Sequence, residues 1–184
     1  MAIQEFCDLE LNKLILNSLR EQKYLVPTAI QKKCIPHLNN GSDLLGVSQT
    51  GTGKTAAFAL PVLNRLAREM KKPSCFHTFA LILVPTRELA CQIDVCLKTY
   101  GRHLHLRSLA VYGGASIRTQ KQKLKNGVDT LVATPGRLMD LMRQGCIKLS
   151  QVEILILDEA DRMLDMGFVN DVKKISETLP KQRQ

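Results

Sequence analysis

The stretch Asp43-Leu-Leu-Gly-Val-Ser-Gln-Thr-Gly-Thr-Gly-Lys-Thr55 decides the fold. It reads as a short apolar run (43–47), a glycine-rich loop, and the start of a helical pattern over 54–68. A strand, a tight loop and a helix in that order form the repeating unit of open α/β proteins. The same alternation continues downstream. Apolar runs at 80–84, 108–112, 130–133 and 153–157 are separated by helical patterns at 87–100, 116–126 and 135–144, with a last one at 169–179. Runs that are apolar throughout suit strands buried on both sides, so the expected class is α/β: a parallel sheet with helices on both faces. Upstream, the first forty residues read as helical. Leu11, Leu14, Ile15, Ser18 and Leu19 follow a helical stripe, and 28–38 reads as a second short helix after Pro27.

Four of the five expected strands run directly into a polar segment that opens a helix. These are Ser48-Gln-Thr-Gly-Thr-Gly-Lys-Thr55, Pro85-Thr-Arg-Glu-Leu89, Thr134-Pro-Gly-Arg137 and Asp158-Glu-Ala-Asp161. In a parallel sheet the carboxyl ends of the strands share one edge, and ligands of such folds bind there. In the first segment, Ser48, Gln49, Thr50, Gly51, Thr52 and Gly53 form a loop whose N–H groups can converge on phosphate oxygens, aided by the following helix terminus. Lys54 would reach the β- and γ-phosphates, and the Thr55 hydroxyl would hold Mg²⁺. Ser48 stands where the general pattern has glycine. In the acidic segment, a carboxylate at a strand end suits Mg²⁺, held directly or through water, and its neighbour can polarise an attacking water. Asp158 is assigned to the metal and Glu159 to the base.

Bulk composition narrows the class. The 184 residues are enough for one core without disulfide or metal staples, and no run is long enough to span a bilayer. A cytoplasmic protein is expected. Six cysteines and four histidines are scattered without the short paired spacing of a zinc site, so reduced thiols, most of them small core residues, and no structural metal are expected. The net charge of +9 favours a polyanionic partner.

In order and spacing, the loop 48–55, Pro85-Thr-Arg-Glu-Leu-Ala90, Gly113-Gly114, Thr134-Pro-Gly-Arg137 and Asp158-Glu-Ala-Asp161 resemble the DEAD-box RNA helicases. The stretch 157–168 is most similar to the bacterial group called RhlE. The resemblance implies the first, ATP-binding RecA-like domain of an ATP-dependent RNA helicase that uses ATP and Mg²⁺. It implies an adenine-recognition segment in 1–33, with Tyr24, Pro27, Thr28 and Gln31 matching the family's element and Phe6 at the position of its upstream aromatic. Lys23 stands where the family usually has glycine. A glutamine amide can both donate to and accept from the N6/N7 edge of adenine. The resemblance further implies RNA-backbone contacts by Pro85, Thr86, Arg87, Gly114, Thr134, Pro135, Gly136 and Arg137, and a role for Asp161 in coupling to a second domain.

By the same resemblance, 34–184 is the RecA-like domain, incomplete at its carboxyl end. The next strand would carry Ser-Ala-Thr and lie between the phosphate-loop strand and the acidic-segment strand, and a second helicase domain would follow. A chain lacking both is expected to be nearly inactive alone and to leave sheet edges exposed. An RNA clamp that works as a scaffold with little unwinding would use the same ATP site. A small kinase would leave 85–90 and 134–137 without a purpose. Gln31→Ala is expected to lose the preference for adenine nucleotides, which competition of ATP against GTP measures.

Overall fold

Ala80-Leu-Ile-Leu83 and Thr130-Leu-Val-Ala133 contain no polar alternation, and each is buried along its whole length. They form the centre of a parallel sheet. The structure is a computed structural model that describes residues 4–49 and 51–184. The chain divides into two compact units: Met1–Met70 with Val95–Leu106 and Gln184, and Lys71–Asp94 with Arg107–Arg183.

The second unit holds the sheet. Its strands are β1 (Ala80–Leu83), β2 (Ser108–Val111), β3 (Thr130–Ala133) and β4 (Ile154–Leu157), in the order β2-β3-β1-β4 and parallel throughout. Its helices are α5 (Ile117–Leu124), α6 (Pro135–Arg143), α7 (Ala160–Asp165) and α8 (Val169–Glu177), with α4 (Arg87–Tyr100) starting here and ending in the first unit. On one face Leu81, Leu83, Leu109, Val111, Leu131 and Ala133 meet Leu124, Leu138, Leu141 and Ile175 in a single apolar core. The alternate residues Ala80, Ile82 and Val132 are fully buried as well, as a strand covered on both faces requires. Against β2, the Ser108 hydroxyl donates to the Asp94 carboxylate of α4 at 2.6 Å.

The first unit contains a 3₁₀ turn (Phe6–Leu9), α1 (Lys13–Glu21), α2 (Ala29–Asn39) and α3 (Lys54–Glu69). Buried Asn64 of α3 ties them together. Its Oδ1 accepts from the Asn12 N–H at 2.8 Å, and its Nδ2 donates to the Glu10 carbonyl and to Asn39 Oδ1. A buried amide with its groups satisfied fixes one arrangement of the chain around it.

Two expectations need correction. Residues 43–47 do not form a strand, and Leu45 and Val47 are 93% and 86% exposed. An apolar run becomes a strand only where a neighbour completes its backbone hydrogen bonds, and among the described residues none pairs with it. The sheet therefore has four strands instead of five. All six cysteines are free as expected, but only Cys34 is buried; Cys7 and Cys75 lie exposed and the other three are intermediate. The remaining boundaries agree to within a few residues, and the acidic segment opens a helix as expected, the short α7.

Leu131, fully buried in a strand paired on both sides, tests the core. Leu131→Ala should cost about 2–5 kcal/mol of stability, measured by urea denaturation followed by circular dichroism.

Candidate functional site

Parallel pairing in register aligns the strand ends of the second unit. Leu83 lies opposite Ala133 on one side and Leu157 on the other, and Val111 lies opposite Ala133. The segments that follow therefore leave the sheet side by side: Tyr112-Gly113-Gly114 from β2, Thr134–Arg137 from β3, Pro85–Arg87 from β1 and Asp158–Asp161 from β4. Three of the four segments expected on the active edge are thus brought together. The fourth, the phosphate loop, lies in the other unit.

The acidic segment continues the β4 ladder by one step, since the Asp158 N–H donates to the Leu83 carbonyl at 3.0 Å. The chain then turns sharply. Glu159 adopts φ 51° and ψ 49°, a left-handed conformation, at the N-cap position of α7. A non-glycine residue there costs roughly 1–2 kcal/mol, and such strain concentrates at functional positions. The turn is held by the Glu159 N–H donating to Asp158 Oδ1 at 3.1 Å, and by Arg162 pairing with the Glu159 carboxylate at 3.3 Å. Asp161 is exposed in the first turn of α7.

At the neighbouring strand ends, Pro85 is buried and the Thr86 hydroxyl accepts from the Leu89 N–H, capping α4. The exposed Arg87 guanidinium stacks over the Tyr112 ring, 5.1 Å from its centroid. A hydrogen bond with Cys91 raises the Tyr112 phenol above its usual range, and the Arg87 charge opposes the rise. Thr134 occupies the N-cap position of α6 without a side-chain cap bond, Pro135 fills the first turn, and Gly136 is exposed. Arg137 is only partly available. Its guanidinium donates to the Ala115 carbonyl and to Gln120 Oε1, both at 3.1 Å, and so braces the loop after Gly114. Gly114 itself has φ 78°, which explains a glycine at that turn. Tyr112 and Gln120 had no motif in the sequence to mark them.

In the first unit the phosphate loop closes on itself. Lys54 Nζ donates to the Ser48 carbonyl at 2.7 Å, the Ser48 and Thr52 hydroxyls share a hydrogen bond at 2.8 Å, and Thr52 donates to the Gln49 carbonyl. Serine in place of glycine thus braces the loop with its side chain. Gly51 and Gly53 have φ 79° and 91°, and Gly53 is the N-cap of α3, whose first two residues are Lys54 and Thr55. Thr50 lies outside the described residues. Among the described residues no group of three His, Cys, Asp or Glu side chains gathers as a metal cage. The Thr55 hydroxyl and the Asp158 carboxylate are each a hard oxygen donor of the kind Mg²⁺ takes.

Gln31 connects the adenine-matching segment to that loop. Thr28 and Gln31 form a capping box on α2: the Thr28 N–H donates to Gln31 Oε1 at 2.9 Å. Gln31 Nε2 donates to the Gly53 carbonyl at 3.1 Å, and a Cβ on Gly53 would sit 2.5 Å from that nitrogen. At 2% exposure the amide is buried, and both of its ends are engaged in these bonds. Phe6 differs from expectation. At 4% exposure it has little ring face to offer, and it anchors the 3₁₀ turn in the core. Tyr24, 46% exposed, does have an open face; its other side meets Tyr100 edge-on at 6.0 Å. Burial raises the Tyr100 phenol well above its usual range. Glu21, just before this turn, receives Arg102 and His103 at 2.8 and 2.9 Å.

Residues 28–184 match the DEAD/DEAH box helicase family. The chain belongs to that family. It is 44% identical over 97% of its length to the "ATP-dependent RNA helicase DeaD" of Escherichia coli (strain K12), of which it covers 28%. It is equally similar to the protein of that name from Mycobacterium tuberculosis (strain ATCC 25618 / H37Rv), covering 31% of it, and 42% identical to that of Haemophilus influenzae, covering 28%. The helicase-family chain thus spans less than a third of these curated relatives. They carry the name DeaD, and the finer likeness to the RhlE group rests on 157–168 alone.

Family glycine at position 23 has a structural reason. Lys23 adopts φ 59° just past the end of α1, with the Tyr24 N–H bonded to the Leu19 carbonyl and the Lys23 N–H to that of Arg20. These are the two bonds of a Schellman cap, which wants glycine at the left-handed position. Lys23→Gly should stabilise the chain by about 1 kcal/mol, seen as a raised urea midpoint.

Proposed function

We propose that this chain is the ATP- and RNA-binding part of a longer DEAD-box enzyme that couples ATP binding and hydrolysis to local unwinding of RNA duplexes or remodelling of RNA–protein complexes. The observation that carries the proposal is the common edge of β1, β3 and β4, along which the acidic segment stands beside two arginine-bearing helix starts. A carboxylate pair suits metal and water chemistry, while helix starts with arginines suit a phosphate backbone. Family membership and the DeaD relatives support the same reading.

In this reading the backbone of Ser48–Gly53 wraps the phosphates, Lys54 neutralises their β- and γ-oxygens, and Tyr24 and Gln31 hold the adenine. Thr55 and Asp158 would hold Mg²⁺, which when bound offsets charge on the triphosphate. Glu159 accepts a proton from the attacking water. Arg87, Gly114, Arg137 and the starts of α4 and α6 hold RNA through its backbone, so little base preference is expected. Asp161, exposed beside the catalytic pair, transmits the state of the ATP site to a second RecA-like domain that also completes the RNA groove. Six free thiols fit a reducing compartment, the cytoplasm.

Lys54→Ala should weaken binding of ATP·Mg²⁺ at least tenfold in isothermal titration while the circular dichroism spectrum is unchanged. Equal affinity in the two proteins would remove the loop from the ATP site and with it the proposed activity.

A further inference from the structure

We infer that helix α5 is a second contact surface for the RNA phosphate backbone, outside the strand-end segments. The inference rests on the RNA reading above and extends it to residues that no family motif includes.

From Arg107 to Val128 the sequence carries five cations, Arg107, Arg118, Lys121, Lys123 and Lys125, and no acid. Every other helix with residues in the second unit contains at least one: Glu88 and Asp94 in α4, Asp140 in α6, Asp161 and Asp165 in α7, Asp171 and Glu177 in α8. Elsewhere arginines pair with acids three or four residues away, as in Arg65–Glu69, Arg137–Asp140 and Arg162–Glu159. In α5 no such partner exists in the sequence. Like charges at this spacing weaken a helix, a cost that a bound polyanion would reverse.

The geometry orders these charges. Gln120 and Leu124 are buried, and Ile117 packs against the core. With that stripe facing inward, Arg118, Lys121 and Lys125 fall along one flank, separated by roughly 4.5 and 6 Å of helix rise. The helix is also fixed to the strand-end segments. Gln120 Nε2 donates to the Tyr112 carbonyl at 3.1 Å while its Oε1 accepts from Arg137 at 3.1 Å. A strand of RNA held at Gly114 and Arg137 would therefore find the cations of α5 on the next surface. An acidic protein partner fits less well, because protein interfaces centre on apolar or aromatic anchors. The exposed positions of α5 and its end, Arg118, Thr119, Gln122, Lys123 and Lys125, supply none.

The test replaces Arg118, Lys121 and Lys125 together by glutamine in the 184-residue chain. Fluorescence anisotropy then follows binding of a single-stranded RNA, and of a duplex with a single-stranded overhang, across a salt series. The slope of log affinity against log salt should fall by about 2. The charge-preserving variant Arg118→Lys, Lys121→Arg, Lys125→Arg should keep the original slope, which separates charge from folding. Arg87→Gln with Arg137→Gln should lower the slope independently. An unchanged slope in the glutamine variant, with the Arg87/Arg137 variant affected, overturns the α5 surface and leaves the RNA reading standing. Absence of RNA binding by the unaltered chain overturns both. Loss of polyglutamate binding without loss of RNA binding would assign α5 to an acidic protein instead.

Discussion

Parallel hydrogen bonding of β1 to β3 on one side and β4 on the other is the constraint on which the candidate site depends. Because Leu83 is in register with both Ala133 and Leu157, the chain leaves three neighbouring strands at the same height. Parallel strands cannot be joined by tight turns, so each must continue into a crossover helix. The residues that start those helices are thereby gathered into a row. The cores on the two faces hold that register, since slipping a strand by one residue would turn Leu131 or Leu81 to the wrong side. The site is in this sense a by-product of how the sheet is buried.

Much of this was legible in the sequence, for a definite reason. Strands covered on both faces must be apolar throughout, so 80–84 and 130–133 declare themselves. Pro135 and Gly114 likewise mark turns that few other residues tolerate. The run at 43–47 has the same composition and does not form a strand. Pairing is a property of two segments, and Leu44, Leu45 and Val47 contain no information about whether a partner is present. Composition can nominate a strand; only a neighbour makes one.

The site was legible unevenly. Lys54, Asp158 and Glu159 occupy recognisable spacings, but the bracing around them does not. Gln31 matches the family's adenine segment by residue type, whereas its bond to Gly53 joins residues 22 positions apart and follows no local pattern. Arg137 looked like a free phosphate ligand and is partly engaged by Gln120. Phe6 looked like a stacking ring and is buried. In each case the residue type was informative and its surroundings, set by tertiary packing, were not. Lys23 is the reverse: its departure from glycine was visible at once, and the left-handed cap it occupies explains why glycine would fit better.

The edge-on contact of Tyr24 with Tyr100 has a spectroscopic meaning. The chain has three tyrosines and no tryptophan, so its ultraviolet emission comes only from Tyr24, Tyr100 and Tyr112. Two of these rings, 6.0 Å apart, are near enough to exchange excitation, and the third lies beneath the Arg87 guanidinium. A purine stacking on Tyr24 would quench the first pair, and displacement of Arg87 would alter the third. The chain carries its own optical probes beside Tyr24 and beside Arg87, without any attached dye.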